Sequence, residues 1–253
     1  MKKNAYLVAI LILFTIHPAF SQSVKTKDIK TPIKHEVIKS TFTAKQETLK
    51  LSTTQSVVIP DFLQLPAPVL KGTLSVEECI AKRRSIRQYQ EKELTIEQIS
   101  QILWAAQGIT DLKDKHRSAP SAGAIYPAEL YLITSSGVFN YVPDAHQLRK
   151  IASTDIRQNL SNACLGQSSV AETGIDIVIC VAYGKTAWKY GEKAVRFADI
   201  EAGHIAENIS LQAVSLGLGS VCIGTLNDSE IKLLLNLPSD QKPIYVIPVG
   251  YPK

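Results

Sequence analysis

The chain has 253 residues, enough to bury one substantial core, and its 45% hydrophobic and 20% charged content is ordinary for a globular protein. Its formal charge of +5 lies outside the candidate fold: residues 1–70 carry nine Lys against four Asp and Glu, while residues 71–253 carry nineteen of each sign. That distribution removes the main physical support for a nucleic-acid binder.

Lys2 and Lys3, the apolar run from Ala5 to Ile16, and Ala19-Phe20-Ser21 before Gln22 have the order of a secretory signal. Residues 1–21 are therefore expected to direct export to the periplasm or the exterior. The apolar run is short for a bilayer span and no Cys follows it to carry a lipid, so no stable membrane span is expected after cleavage. Residues 22–70 are rich in Lys, Thr and Ser, with Pro60, Pro66 and Pro68 near their end, and read as a tether. The folded domain is expected over 71–253. Cys79, Cys164, Cys180 and Cys222 are far apart, each among apolar residues, and read as four buried, unpaired thiols with no metal-ligand spacing.

Ser75 and Glu78 form a capping box that opens a short helix to about Lys82. A second box, Thr95 with Gln98, precedes Ile96, Ile99, Ile102, Leu103 and Ala106 at helical spacing, and Gly108 ends that helix. Leu130–Thr134 and Val138–Val142 are rich in strand formers across Ser-Ser-Gly, the pattern of an antiparallel hairpin. Ile175–Tyr183 is an almost continuous apolar run, as in a strand covered on both faces. The longest helical pattern runs from about Val195 to Leu216 with Gly217 after it. Val221–Ile223 and Ile244–Val249 read as strands around a helix capped near Asn227, with Glu230 three residues on. Helices and strands mix without strict βαβ alternation, which predicts an α+β fold.

Three segments carry candidate chemistry. Lys82, Arg83, Arg84 and Arg87 surround Ser85 where the first helix gives way to a loop, offering cationic donors and a hydroxyl to an anion; the bland alternative is a solvated basic helix end. Pro120 to Pro127 brackets the small residues Ser121, Ala122, Gly123 and Ala124, which allow backbone to approach a flat ligand, as a tight loop entering a strand also does. Gly217-Leu218-Gly219-Ser220-Val221-Cys222-Ile223-Gly224 closes a helix instead of opening one, so it is no dinucleotide fingerprint; it is either a ligand-facing bend or turn punctuation.

Taken together, these segments resemble the nitroreductase superfamily, and more specifically SagB-type dehydrogenases, through Arg83-Arg84-Ser85-Ile86-Arg87, Pro120-Ser121-Ala122-Gly123, Trp188-Lys189-Tyr190-Gly191, Glu201-Ala202-Gly203-His204 and the Gly-Leu-Gly bend. The likeness spans about residues 70 to 253. It implies a nitroreductase-like fold, a mainly antiparallel sheet flanked by helices, in a homodimer with FMN at each end of the interface. Arg83, Ser85 and Arg87, with Arg84 beside them, match the family's phosphate and ribityl ligands. Ser121, Ala122 and Gly123 match a loop contributed by the partner subunit. Gln167 falls near the position that reads the pyrimidine edge, and Ile223, Gly224 and Thr225 fall at the reactive side of the ring. Many relatives return a C-terminal basic residue to the phosphate; here either Lys253 serves, or the Arg83–Arg87 segment acts alone.

Lys189 and Tyr190 match a pair that assists proton removal in relatives that oxidise thiazolines or oxazolines on peptides; plain surface charge is the alternative. His204 reads as a helix-packing residue. The resemblance implies an exported FMN-dependent oxidoreductase acting on a small molecule or peptide, with NAD(P)H as the generic donor. The competing expectations are an azoline oxidase returning electrons to oxygen, and a secreted flavin-binding protein without catalysis.

Overall fold

Two periodicities in the sequence, alternation along the strands and an apolar stripe along two helices, decide how the layers stack. The computed structural model describes residues 61–253, so the expected signal segment and residues 22–60 of the tether lie outside the described residues. In chain order the elements are β1 (Phe62–Gln64), α1 (Val76–Lys82), α2 (Ile96–Gln107), β2 (Ala128–Thr134), β3 (Gly137–Val142), β4 (Gln147–Ala152), α3 (Arg157–Ala163), α4 (Ser168–Ala171), β5 (Ile175–Ala182), α5 (Gly184–Tyr190), α6 (Ala194–Ser215), β6 (Gly219–Ser220), α7 (Asp228–Leu234) and β7 (Gln241–Gly250).

The seven strands form one sheet in the order β1-β4-β3-β2-β5-β7-β6, and every neighbouring pair is antiparallel. Leu130, Leu132, Ile177, Ile179 and Ile247 face α2 and α6, which present Ile102, Leu103, Ala106 and Ala198, Ala202, Ile205, Ile209 to them. The alternate residues Tyr131, Ile133, Val178, Cys180 and Val246 face α3 and α7 through Leu160, Ala163, Cys164, Ile231 and Leu235. The α+β expectation is met. All eight residues of β5 are buried, as its unbroken apolar run requires of a strand covered on both faces. Both predicted capping boxes close their helices as read, Ser75 with Glu78 and Thr95 with Gln98.

Three expectations are corrected. Residues 61–70 do not belong wholly to a tether: β1 pairs with β4, and Gln101 holds the next stretch by accepting from Val69 N at 2.8 Å and donating to Val69 O at 3.1 Å. The folded body therefore begins before residue 71. Val221–Ile223 does not form a strand; the ladder is at Gly219–Ser220, and Ile223 keeps a single bridge to Val246, because the same register puts Val221 opposite Pro248, which has no N–H to donate and whose carbonyl accepts from Tyr89 Oη. Cys79, Cys164 and Cys180 are buried free thiols, but Cys222 is exposed, with its Sγ 3.8 Å from Ser210 Oγ on α6.

One buried group is out of place. Asp176 shares a face of β5 with Val178 and Cys180; it is fully buried, and neither carboxylate oxygen has a hydrogen-bond partner. Burial pushes its carboxyl well above the usual range. The Arg157 guanidinium opposes this and Asp155 adds to it. Arg157 is itself engaged, forking onto Asp155 at 2.7 Å and donating to Thr173 O at 2.9 Å.

Candidate functional site

Helix α1 stops at Lys82 because Arg83 leaves helical geometry at ψ 124°, although its amide still reaches Cys79 O. The chain then runs alongside the late glycine bend: Ser85 bridges Ser220, and Ile86 N donates to Ser220 O at 2.9 Å. Glycine is needed at 219 for this approach, since a Cβ there would lie 2.7 Å from Ile86 Cβ. Gly217, at φ +71°, makes the turn out of α6. The arginine segment and the bend are thus one structural unit.

On this unit Arg84, Ser85 and Arg87 are exposed and Arg83 half-buried. Arg83 Nε lies 3.7 Å from Glu207 on α6, and Arg84 donates to the Arg83 carbonyl at 2.7 Å. Among the described residues Arg87 has no ion-pair partner. Beyond the bend Ile223 is buried and exchanges both backbone bonds with Val246, after which Gly224 and Thr225 are exposed. Among the described residues the amides of Gly224 and Thr225 have no acceptor. Asn227 N donates to Ala163 O at 2.8 Å, which ties the end of α3 to the same region. Gln167 lies just past that helix end, and its amide nitrogen gives one of its two hydrogens to Cys164 O at 3.1 Å. Lys253 lines a cavity of about 560 Å³ with Tyr89, Lys92 and Arg157, and not with Arg83 or Arg87.

The proline-flanked loop is held elsewhere. Gly123, Ala124 and Tyr126 all have positive φ, at +63°, +54° and +53°. For the two residues with side chains this costs about 1–3 kcal/mol each, so the surroundings must impose it. Ser121 Oγ accepts from Tyr126 N at 2.9 Å, Ser121 O accepts from Ala124 N at 3.1 Å, and Tyr126 Oη accepts from Arg117 N at 3.0 Å. The Arg117 guanidinium stacks on the Tyr126 ring at 4.6 Å. A Cβ on Gly123 would lie 2.6 Å from Lys189 Nζ and 2.7 Å from Tyr190 Oη, so the loop lies directly against that pair. Lys189 is exposed; Tyr190 is half-buried, edge-on to Phe197 at 5.0 Å. His204 is also exposed, with Nδ1 3.3 Å from Pro120 O, a loop contact and not the helix-packing role expected of it.

The predicted residues therefore fall into two half-sites. One holds Arg83, Arg84, Ser85, Arg87, Gln167, Ile223, Gly224 and Thr225; the other holds Ser121, Ala122, Gly123, Lys189 and Tyr190. Among the described residues no hydrogen bond or ion pair joins them. Glu207 and His204, which touch one half each, are three residues apart on α6 and so share a face. Asp111, Asp114 and His116 bring ligand atoms within 4.8 Å of one another on an exposed loop, but Asp111 already caps two backbone amides there.

Sequence reasoning missed the residues beneath the second half-site. Glu201 is buried on α6 and accepts from Gln107 Nε2 and from Ala128 N, while Gln107 accepts from Arg117. The available signal was a carboxylate on the stripe that carries Ala198, Ala202 and Ile205.

The sequence matches the model of the nitroreductase family over residues 80–251. The chain belongs to the nitroreductase family. It is similar to a Methanocaldococcus jannaschii protein named as a nitroreductase, 35% identical over 196 residues that cover 75% of this chain and 97% of that one. A crystal structure from Ralstonia eutropha, also described as a nitroreductase, superposes at a TM-score of 0.71 with 27% identity, covering 76% of this chain and 90% of the other. The microcin B17-processing protein McbC of Escherichia coli is 26% identical over 163 residues, 60% of this chain and 59% of McbC. The antiparallel sheet between two helical layers is thus the nitroreductase fold, and membership makes the chain an oxidoreductase.

Proposed function

We propose that this nitroreductase-family chain is an exported, homodimeric, FMN-dependent oxidoreductase of the SagB-type dehydrogenase branch. The observation that carries the reading is the Ile86–Ser220 hydrogen bond, which locks the arginine segment to the glycine bend and leaves cationic groups and unused amides on one exposed unit. These residues suit FMN. Arg83, Ser85 and Arg87 supply donors for a phosphate, and the free amides of Gly224 and Thr225 supply donors where the reduced ring gathers charge. When bound, FMN supplies hydride transfer; the protein orients it and its substrate.

A second copy of the chain would complete the site by bringing its Ser121–Gly123 loop, with Lys189 and Tyr190, to the arginine half. In support, a groove of about 540 Å³ between α1, α2 and α6 is lined by Leu74, Trp104 and Leu216, and Val69, Leu70 and Val76 at its rim are exposed. Such an apolar surface suits burial against a partner. Residues 1–21 are the basis for export, and residues 22–60 for a tether.

Two electron routes remain. NAD(P)H as donor is the generic route, with nitro compounds or quinones as acceptors. Oxidation of an azoline on a peptide, with oxygen as acceptor, is favoured by the packing of Lys189 and Tyr190 on the loop and by the likeness to McbC, named for microcin B17 processing. In the azoline route Tyr190 Oη and Lys189 Nζ, both held against Gly123, would assist removal of a proton from the substrate. Anaerobic addition of NADH to the FMN-loaded chain separates the routes. Bleaching of the flavin band within seconds establishes the nicotinamide route; an unchanged spectrum, with bleaching by a thiazoline peptide, establishes the other. A flavin that no donor bleaches would identify the non-catalytic binding protein instead.

A further inference from the structure

The core-facing stripe of α6 is interrupted at Glu201 by a carboxylate that is 1% exposed. A buried carboxylate is costly, and packing α6 on the sheet would be served better by an apolar side chain. Its partners come from two different elements. Oε1 accepts from Gln107 Nε2 at 3.2 Å, at the end of α2, and from Ala128 N at 3.3 Å, at the start of β2. Oε2 is buried without a hydrogen-bond partner. Ser121 Oγ accepts from Tyr126 N and so closes the turn on itself. Gln107 is oriented in turn by Arg117 Nη1 at 3.1 Å, and Arg117 closes the circuit through Tyr126. Both donors converge on Oε1, whose two lone pairs accept them together.

We propose that Glu201 is a positioning residue: through the Ala128 amide, and through Gln107, Arg117 and Tyr126 in turn, it holds the Ser121–Ala122–Gly123 loop in its observed turn, and so fixes Lys189 and Tyr190 against Gly123. The consequence for flavin and substrate rests on the function proposed above; the anchoring of the loop does not. The end of the loop that enters β2 is tied to the carboxylate directly at Ala128, and the Ser121 end is tied to Tyr126, whose hydroxyl Arg117 holds. His204, one turn further along α6, holds Pro120 from the outside.

The test is hydrogen–deuterium exchange on the flavin-free full chain, together with FMN titration. Glu201→Leu keeps the volume and removes every acceptor. Exchange of the amides from Ser121 to Ala128 is expected to rise at least about tenfold while β5 and the rest of α6 stay unchanged, and FMN affinity to fall about tenfold. Glu201→Gln keeps one oxygen for Gln107 and Ala128 and is expected to restore both readouts to within about threefold of the parent chain. No change in loop exchange, or an equal rise across β5 and α6, overturns the inference, the second by reducing Glu201 to a general core residue. Should Glu201→Leu fail to fold, Glu201→Asp, one methylene shorter, has to show the same loop-restricted rise. If the parent chain takes up no FMN, the proposed function falls and exchange still decides the anchoring.

Discussion

Replacing Arg83 and Arg87 together by Ala is expected to weaken FMN binding about 1,000-fold, while riboflavin, which lacks the phosphate, binds within about threefold of the parent chain. The magnitude follows from two charge-assisted contacts to phosphate, each contributing about 1.5–3 kcal/mol. Both side chains lie on a segment whose backbone is fixed at Ile86 by Ser220 and by the absence of a Cβ at Gly219, so truncation removes donors without releasing the loop. Arg83 also loses its 3.7 Å contact with Glu207, a partly exposed pair that contributes little to stability. Isothermal titration with both ligands checks this. An equal loss for FMN and riboflavin would place the phosphate elsewhere.

Asp176→Asn is expected to stabilise the chain by about 2 kcal/mol at pH 8 and to change little at pH 4. The cause is the isolation of the carboxyl in the layer between β5 and α3, where Arg157 faces it but is already committed to Asp155 and Thr173 O. Tyr89 and Cys164 are the other titratable neighbours, and burial raises both above their ordinary values, so they stay uncharged near neutrality. With the Asp176 carboxyl raised in the folded chain, the native state holds a proton that the unfolded chain releases near the ordinary value of 3.8. The stability linked to that proton is fully present below 3.8 and is lost as pH rises through the raised folded value. An amide has no proton to lose, so the variant should lack this slope. Urea denaturation at the two pH values measures it; an identical difference at both would mean that ionisation of Asp176 plays no part.

How far the sequence carried depends on how local each signal is. The capping boxes at Ser75 and Thr95, the hairpin around Ser135-Ser136-Gly137 and the apolar run of β5 are written in adjacent residues, and they appear where they were read. Strand β4 was not legible, because only Leu148 of its six residues is buried and the rest is as polar as a loop. Strand β1 was hidden for a related reason: Phe62–Gln64 is exposed and exists as a strand only because β4 offers it an edge. Helices α3 and α5 begin without a side-chain cap, so nothing marks their starts.

The site divides in the same way. Arginine, glycine and small-residue segments could be recognised one by one, but that the first two interlock depends on the contact of Ile86 with Gly219 and Ser220, residues 133 or more positions apart in the chain. Glu201 was legible as part of a motif and not as an anchor. Its donors come from Gln107 and Ala128, and no spacing in the sequence announces that they meet.

The most direct test of flavin binding at the arginine–glycine unit is the visible absorption spectrum of the full chain after incubation with FMN and removal of free flavin. A yellow protein with stoichiometric FMN is predicted, its band shifted and its fluorescence quenched relative to free flavin. A preparation that stays colourless after that incubation would contradict it.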